Sequence, residues 1–103
     1  MYRSRIYQEV LYGHFREFMQ VAESFQALLR ERGWTDSTLW VPTVGQSNLV
    51  IWESDYPDLA SFQREGDAFS SDKEAMDLLR QFAQHVVQGS VRTELLEEAP
   101  SVA

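Results

Sequence analysis

The chain has 103 residues, a formal net charge of −7 and a pI near 4.7. That length suits one domain, and a content of 44% hydrophobic and 13% aromatic residues supplies a core and argues against disorder. The acidic balance excludes the basic footprint of a nucleic-acid binder and disfavours anionic membrane surfaces, and the absence of cysteine excludes disulfide and thiolate chemistry.

No apolar run approaches the ~20 residues of a membrane span. Residues 1–6 have a basic start with no apolar stretch behind it, unlike a signal peptide. The expectation is a cytoplasmic protein with neither membrane nor nucleic acid as partner.

Residues 2–11 read as a strand, with Tyr2, Ile6, Tyr7, Val10 and Leu11 set among polar residues. After Gly13, Phe15, Phe18, Met19, Ala22, Phe25 and Leu29 recur at three- and four-residue steps, which predicts an amphipathic helix over 14–32. Glu17 in its first turn and Arg30 and Arg32 in its last suit the helix dipole, and Gly33 suits the residue that ends it. Residues 36–44 and 48–54 read as two strands joined through Gly45-Gln46-Ser47-Asn48. Pro42 places the first of these at a sheet edge or a bulge.

Pro57 suits the first position of a second helical region that carries Leu59, Phe62 and Phe69 and breaks near Gly66 and Ser70-Ser71. Ser71 and Glu74 have the spacing of a capping box for a helix over 72–88. Met76, Leu79, Phe82, Ala83 and Val86 lie on one face of that helix, and Gly89 follows it. Residues 90–97 read as a last strand. The domain is expected to span 1–97 and to leave 98–103 as a loose tail.

The order is βαββαβ: an α+β, ferredoxin-like domain with a four-stranded antiparallel sheet and two helices on one face. The first and last strands are expected as neighbours at the centre. Alternation puts Ile6, Val10, Leu39, Val41, Leu49, Ile51, Val91 and Leu95 under the helices. It leaves Arg5, Tyr7, Glu9, Trp40, Val50, Trp52, Arg92 and Glu94 on the open face. Two indoles and a phenol there are too much apolar area to stay wet, so a second copy is expected to cover them as a homodimer. If Arg5 stands opposite Glu94, then Tyr7 stands opposite Arg92, and each charge finds an opposite neighbour on the same face.

The chain resembles the dimeric α+β barrel superfamily, which includes antibiotic-biosynthesis monooxygenases, NIPSNAP-like proteins and stress-responsive barrel proteins. The likeness runs over nearly the whole chain. It rests on the element order, Gly13-His14 entering the first helix, the hairpin from Gly45 to Glu53, and Gly89-Ser90-Val91-Arg92-Thr93-Glu94-Leu95 at the end. The segment Asn48 to Glu53 with Tyr56-Pro57-Asp58-Leu59 is similar to the NIPSNAP-like branch. The resemblance implies two sheets facing each other as a barrel, with a pocket in each subunit between sheet and helices or inside the barrel. It also implies cofactor-independent oxygenation of aromatic molecules in some members and haem degradation in others. The haem-degrading members carry an Asn on the first strand; Asn48 does not fall there, and no haem role is carried over.

The sequence offers few groups for chemistry. His14 and Glu17 supply two metal ligands where a site demands three or four, so no metal is expected. No nucleotide-binding, serine-hydrolase or zinc-protease motif is present, and no cofactor is expected. His85 is the candidate acid or base, standing in the last turn of its helix. Tyr7, Trp40 and Trp52 are the candidates to shape a ligand site, and Arg5 and Arg92 to orient a polar group on the ligand. The leading reading is a homodimeric barrel that binds a small aromatic or hydrophobic molecule, with monooxygenase-like activity as its catalytic form. The alternative is a non-catalytic interaction module in which the same aromatics only join two subunits.

Overall fold

The computed structural model describes residues 1–101, so the last two residues of the expected tail lie outside the described residues. The elements run β1 (Tyr2–Glu9), α1 (Phe15–Arg32), β2 (Thr38–Trp40), β3 (Leu49–Tyr56), α2 (Leu59–Ser70), α3 (Lys73–Ala83) and β4 (Arg92–Glu97). The four strands form one antiparallel sheet in the order β2-β3-β1-β4. β1 and β4 are neighbours, as expected, but β4 stands at an edge and β3 shares the centre with β1. The helical region after Pro57 breaks at Ser71, close to the expected Ser70-Ser71, into α2 and α3, while Gly66 lies within α2.

The ends of the elements follow from local chemistry. Gly33 ends α1 in the left-handed region at φ 69°, its N–H on the Arg30 carbonyl at 3.2 Å and the Trp34 N–H on that of Leu29 at 2.9 Å. This Schellman closure satisfies two carbonyls that the helix would otherwise orphan. Asp58, not Pro57, starts α2, accepting the Ser61 N–H at 2.7 Å. Asp72, not Ser71, caps α3, accepting the Ala75 N–H at 3.0 Å. An aspartate with its carboxylate already beside the helix N-terminus displaces the Ser–Glu box.

The expected helix over 72–88 stops at Ala83. Val86 is buried instead by an isolated bridge to Val10, flanked by Leu11 N–H to His85 O at 2.9 Å and Val87 N–H to Glu9 O at 2.8 Å. A residue held by a strand bridge had imitated the next turn of an apolar helix stripe. β2 is far shorter than 36–44, because Pro42 has no N–H for a ladder.

Register settles the faces. Ile6 pairs with Trp52 and Thr93, Tyr7 with Ile51 and Arg92, and Leu39 with Trp52. Ser4, Ile6, Gln8, Val50, Trp52 and Ser54 therefore turn toward the helices, and Leu49, Ile51, Glu53 and Asp55 toward the open face. The expected faces of β3 are thus reversed, whereas those of β1, β2 and β4 hold. The segment Leu49-Val50-Ile51-Trp52 is apolar on both sides, so alternation within it cannot decide. Glu53 and Asp55 share parity with Ile51, and two carboxylates belong on the face that water reaches.

The core lies between sheet and helices, where Val10, Phe18, Ala22, Val50, Trp52, Phe82 and Val86 are buried together. Phe82 joins the layers, with ring centroids 5.2 Å from Phe18, 5.7 Å from Trp52 and 6.0 Å from Phe25. These tilted and edge-to-face pairs are the arrangements that the ring quadrupole favours.

Candidate functional site

The core does not fill the space beneath the helices. A cavity of about 470 Å³ opens there, and it takes wall residues from every layer. The sheet supplies Ser4, Ile6 and Gln8 from β1, Trp52, Ser54 and Tyr56 from β3, and Thr93 from β4. α1 contributes Phe25 and Leu29, α2 contributes Phe62, Glu65 and Phe69, and α3 contributes Leu79 and Phe82. α2 leans on this wall through Phe62, whose ring meets that of Tyr56 edge-on at 5.3 Å. Phe69 reaches across to Phe25 at 5.7 Å and Trp34 at 6.1 Å. Among the described residues the exposed part of the wall, taken as the mouth, is Gly66, Leu79, Ala83, Val91 and Thr93.

Polar groups are few and mostly spoken for. Glu65 accepts the Thr35 N–H at 2.6 Å on one oxygen and the Thr35 hydroxyl at 2.7 Å on the other, which clips α2 to the turn after α1. The Ser54 hydroxyl donates to that of Ser37 at 3.0 Å. Burial lifts the Tyr56 phenol above its usual range, and the nearby Glu65 charge adds to the effect, against a hydrogen bond with Ser54. The indole N–H of Trp52 donates to Gln8 Oε1 at 2.6 Å inside the core.

The sequence-predicted residues do not gather at this cavity. Trp52 lies on its wall, buried between Phe25 and Phe82. Arg5, Tyr7, Trp40 and Arg92 stand on the opposite face of the sheet. There the register places Arg5 opposite Glu94, the condition set from sequence, and with it Tyr7 opposite Arg92. The charge partners differ, however. Arg5 Nε meets Glu53 of β3 at 2.9 Å, and the Arg92 guanidinium lies over the Tyr7 ring at 4.1 Å. Arg3 grips Asp55 through two bonds of 2.7 and 3.1 Å, holding the Asp55 carboxyl below the usual carboxylate range. Trp40 is 55% exposed on the edge strand.

His85 is not among the described residues that line the cavity. Its Nδ1 is 3.0 Å from Nδ1 of His14, with one nitrogen donating and the other accepting. Among the described residues no three His, Cys, Asp or Glu side chains come close enough to hold a metal ion. None of the described helices is long and apolar enough to cross a membrane.

Ser4, Gln8, Tyr56 and Glu65 were not singled out from sequence. A signal for two of them was present: on β1, Ser4 and Gln8 share the helix-side parity of Ile6 and Val10. A polar residue at a core position is held there by a partner or a role.

The fold is one seen in several solved structures. An uncharacterized NIPSNAP domain protein from Burkholderia xenovorans superposes with a TM-score of 0.80 at 13% identity, covering 100% of this chain and 99% of that one. A NIPSNAP family protein from Agrobacterium tumefaciens gives 0.75 at 13% identity, over 95% and 92% of the two chains. An antibiotic biosynthesis monooxygenase gives 0.76 at 12% identity, over 97% and 100%. Neither a protein-family model nor a curated protein matches the sequence. The likeness therefore establishes the α+β, ferredoxin-like architecture common to NIPSNAP and antibiotic biosynthesis monooxygenase proteins.

Proposed function

We propose that the chain binds a small, largely apolar, aromatic molecule in the cavity between its sheet and its helices. The observation that carries this reading is the cavity itself: about 470 Å³, walled by Phe25, Trp34, Trp52, Phe62, Phe69 and Phe82. That volume falls within the range of about 300–1,000 Å³ of small-molecule sites, and an apolar wall with a few polar groups is their usual make-up. A well-packed core leaves few voids larger than a water molecule, so an open space of this size supports a ligand site over a purely structural module.

Homodimerisation through the open sheet face belongs to the same proposal. In such a dimer Arg5, Tyr7, Trp40 and Arg92 would line the space between two sheets, apart from the helix-side cavity. Monooxygenase-like oxidation of the bound molecule is the catalytic form of the reading, and the fold shared with an antibiotic biosynthesis monooxygenase supports it only at the level of architecture. Among the described residues Tyr56 and Glu65 are the titratable groups on the cavity wall. His85, tied to His14, takes a structural part in this proposal.

The test is titration with N-phenyl-1-naphthylamine, an uncharged aromatic probe whose fluorescence rises on leaving water. Saturable binding at one site per chain is expected, weakened at least tenfold by Ala83→Phe, which narrows the mouth. Oxygen uptake with an added quinol would extend the reading to catalysis. No saturable binding, or equal binding by a folded Ala83→Phe variant, would leave the interaction module as the better account.

A further inference from the structure

We infer that Gln8 makes the cavity selective for uncharged molecules that present a hydrogen-bond-accepting oxygen, and that the site refuses carboxylates and other anions. The inference rests on the cavity being a ligand site.

The chemistry of one hydrogen bond orients the Gln8 amide. An indole N–H can only donate, so the atom that meets it at 2.6 Å must be the amide oxygen. The Gln8 NH2 is thereby turned away from Trp52. Among the described residues that NH2 has no hydrogen-bond partner, although Gln8 is only 9% exposed. Yet among the described residues no side-chain nitrogen or oxygen sealed from solvent lacks a partner. The NH2 is therefore accessible, and the space that Gln8 borders is the cavity. An amide whose oxygen already accepts a hydrogen bond is held in place with its two donors free. Such a group suits a ketone, ester, amide or ether oxygen.

Ser4 repeats the pattern on the same face of β1. It is 7% exposed, lines the cavity, and its hydroxyl has no hydrogen-bond partner among the described residues. At a strand rise of roughly 3.3 Å per residue their backbone positions stand about 13 Å apart, with Ile6 between them. The cavity thus offers an apolar floor with a donor at one end and a hydroxyl at the other.

Charge sets the second half of the selectivity. Among the described residues the cavity wall carries no Lys, Arg or His, and its one charged residue is Glu65, whose oxygens are both taken by Thr35. An anion entering would lose its hydration with no cation to replace it, beside a carboxylate and within a chain of net charge −7.

Three probes of one shape separate these effects: 2-acetylnaphthalene with a ketone oxygen, 2-ethylnaphthalene without it, and 2-naphthoate with a charge. Each is measured as a competitor of N-phenyl-1-naphthylamine, at pH 7, against wild type, Gln8→Met and Gln8→Glu. The second variant keeps an oxygen for Trp52 while removing the free NH2. The ratio of ketone to hydrocarbon affinity is expected to fall roughly tenfold in both variants, the worth of about one hydrogen bond, with the hydrocarbon unaffected. In wild type the carboxylate is expected to bind far more weakly than the ketone. The Gln8 side-chain NH2 resonances of 15N-labelled wild type should shift with the ketone and not with the hydrocarbon, a readout that needs no variant. Naphthoate binding as tightly as the ketone, or Gln8 resonances indifferent to the ketone oxygen, would overturn the selectivity while leaving the cavity a ligand site. Failure of all three probes to bind would remove the cavity reading itself, and this inference with it.

Discussion

Nδ1 of His14 and Nδ1 of His85 lie 3.0 Å apart, joining the residue before α1 to the segment just after α3. The rings are tilted by 52°, with centroids 5.3 Å apart. Backbone bonds frame the pair: the His14 carbonyl accepts the Phe18 N–H at 2.9 Å, and that of His85 accepts the Leu11 N–H at 2.9 Å. One ring must carry hydrogen on Nδ1 and the other a lone pair, so neither histidine makes this contact alone.

The first prediction follows from that dependence. His14→Ala and His85→Ala should each lower stability by about 1 kcal/mol, the net worth of a partly buried hydrogen bond. The double variant should cost little more than either single one, because both remove the same interaction. Urea unfolding of the four proteins measures the cycle. A double-variant cost equal to the sum of the singles would mean that the rings act independently.

A second prediction concerns acid. Asp72 takes Arg32 Nε at 2.8 Å on one oxygen and the Ala75 N–H at 3.0 Å on the other. The Arg32 hydrogen bond, then the Ala75 N–H, hold its carboxyl below the usual carboxylate range. A carboxyl whose folded value lies below its unfolded value of about 3.9 adds stability that is present above that value. That stability is lost as pH falls through the folded value. The urea midpoint of Asp72→Asn should therefore lie below that of wild type at pH 7. The gap should narrow as pH drops below about 4 and close once it passes the folded value, where folded wild type loses the same charge. A gap of constant size down to pH 2 would assign the loss to cap geometry instead of charge.

The third prediction concerns the open face. Tyr7, Trp40, Leu49 and Ile51 share it with the Arg3–Asp55 and Arg5–Glu53 ion pairs, and Trp40 is 55% exposed. Covering this face with a second copy would bury the indole and leave the charges paired within their own sheet. Sedimentation at micromolar concentration should return twice 11.9 kDa, and Ile51→Glu, which sets a charge at the centre of the patch, should return the single mass. A wild-type chain that sediments alone would exclude the interface.

Much of the fold was legible in residue order. The α1 stripe of Phe18, Ala22, Phe25 and Leu29 has a single period, and Gly33 is an unambiguous stop. Parity ties the pairing of Tyr7 with Arg92 to that of Arg5 with Glu94, and the register satisfies that condition. Legibility ended where two patterns coincide. Val86 keeps helical spacing from Phe82 yet belongs to a bridge with Val10, and β3 is apolar on both faces until Glu53 and Asp55 break the tie.

The sequence by itself determined the element order, the antiparallel sheet and the chain's acidic character, because periodicity, turn residues and charge are local properties. Only the tertiary structure decided which face of the sheet holds Trp52 and where the open space lies, for these depend on register across strands and on packing between layers. A shift of one residue turns every side chain of a strand to the other side. The cavity beside Gln8 follows from that choice, since the Trp52 indole finds its acceptor only when both residues face the helices.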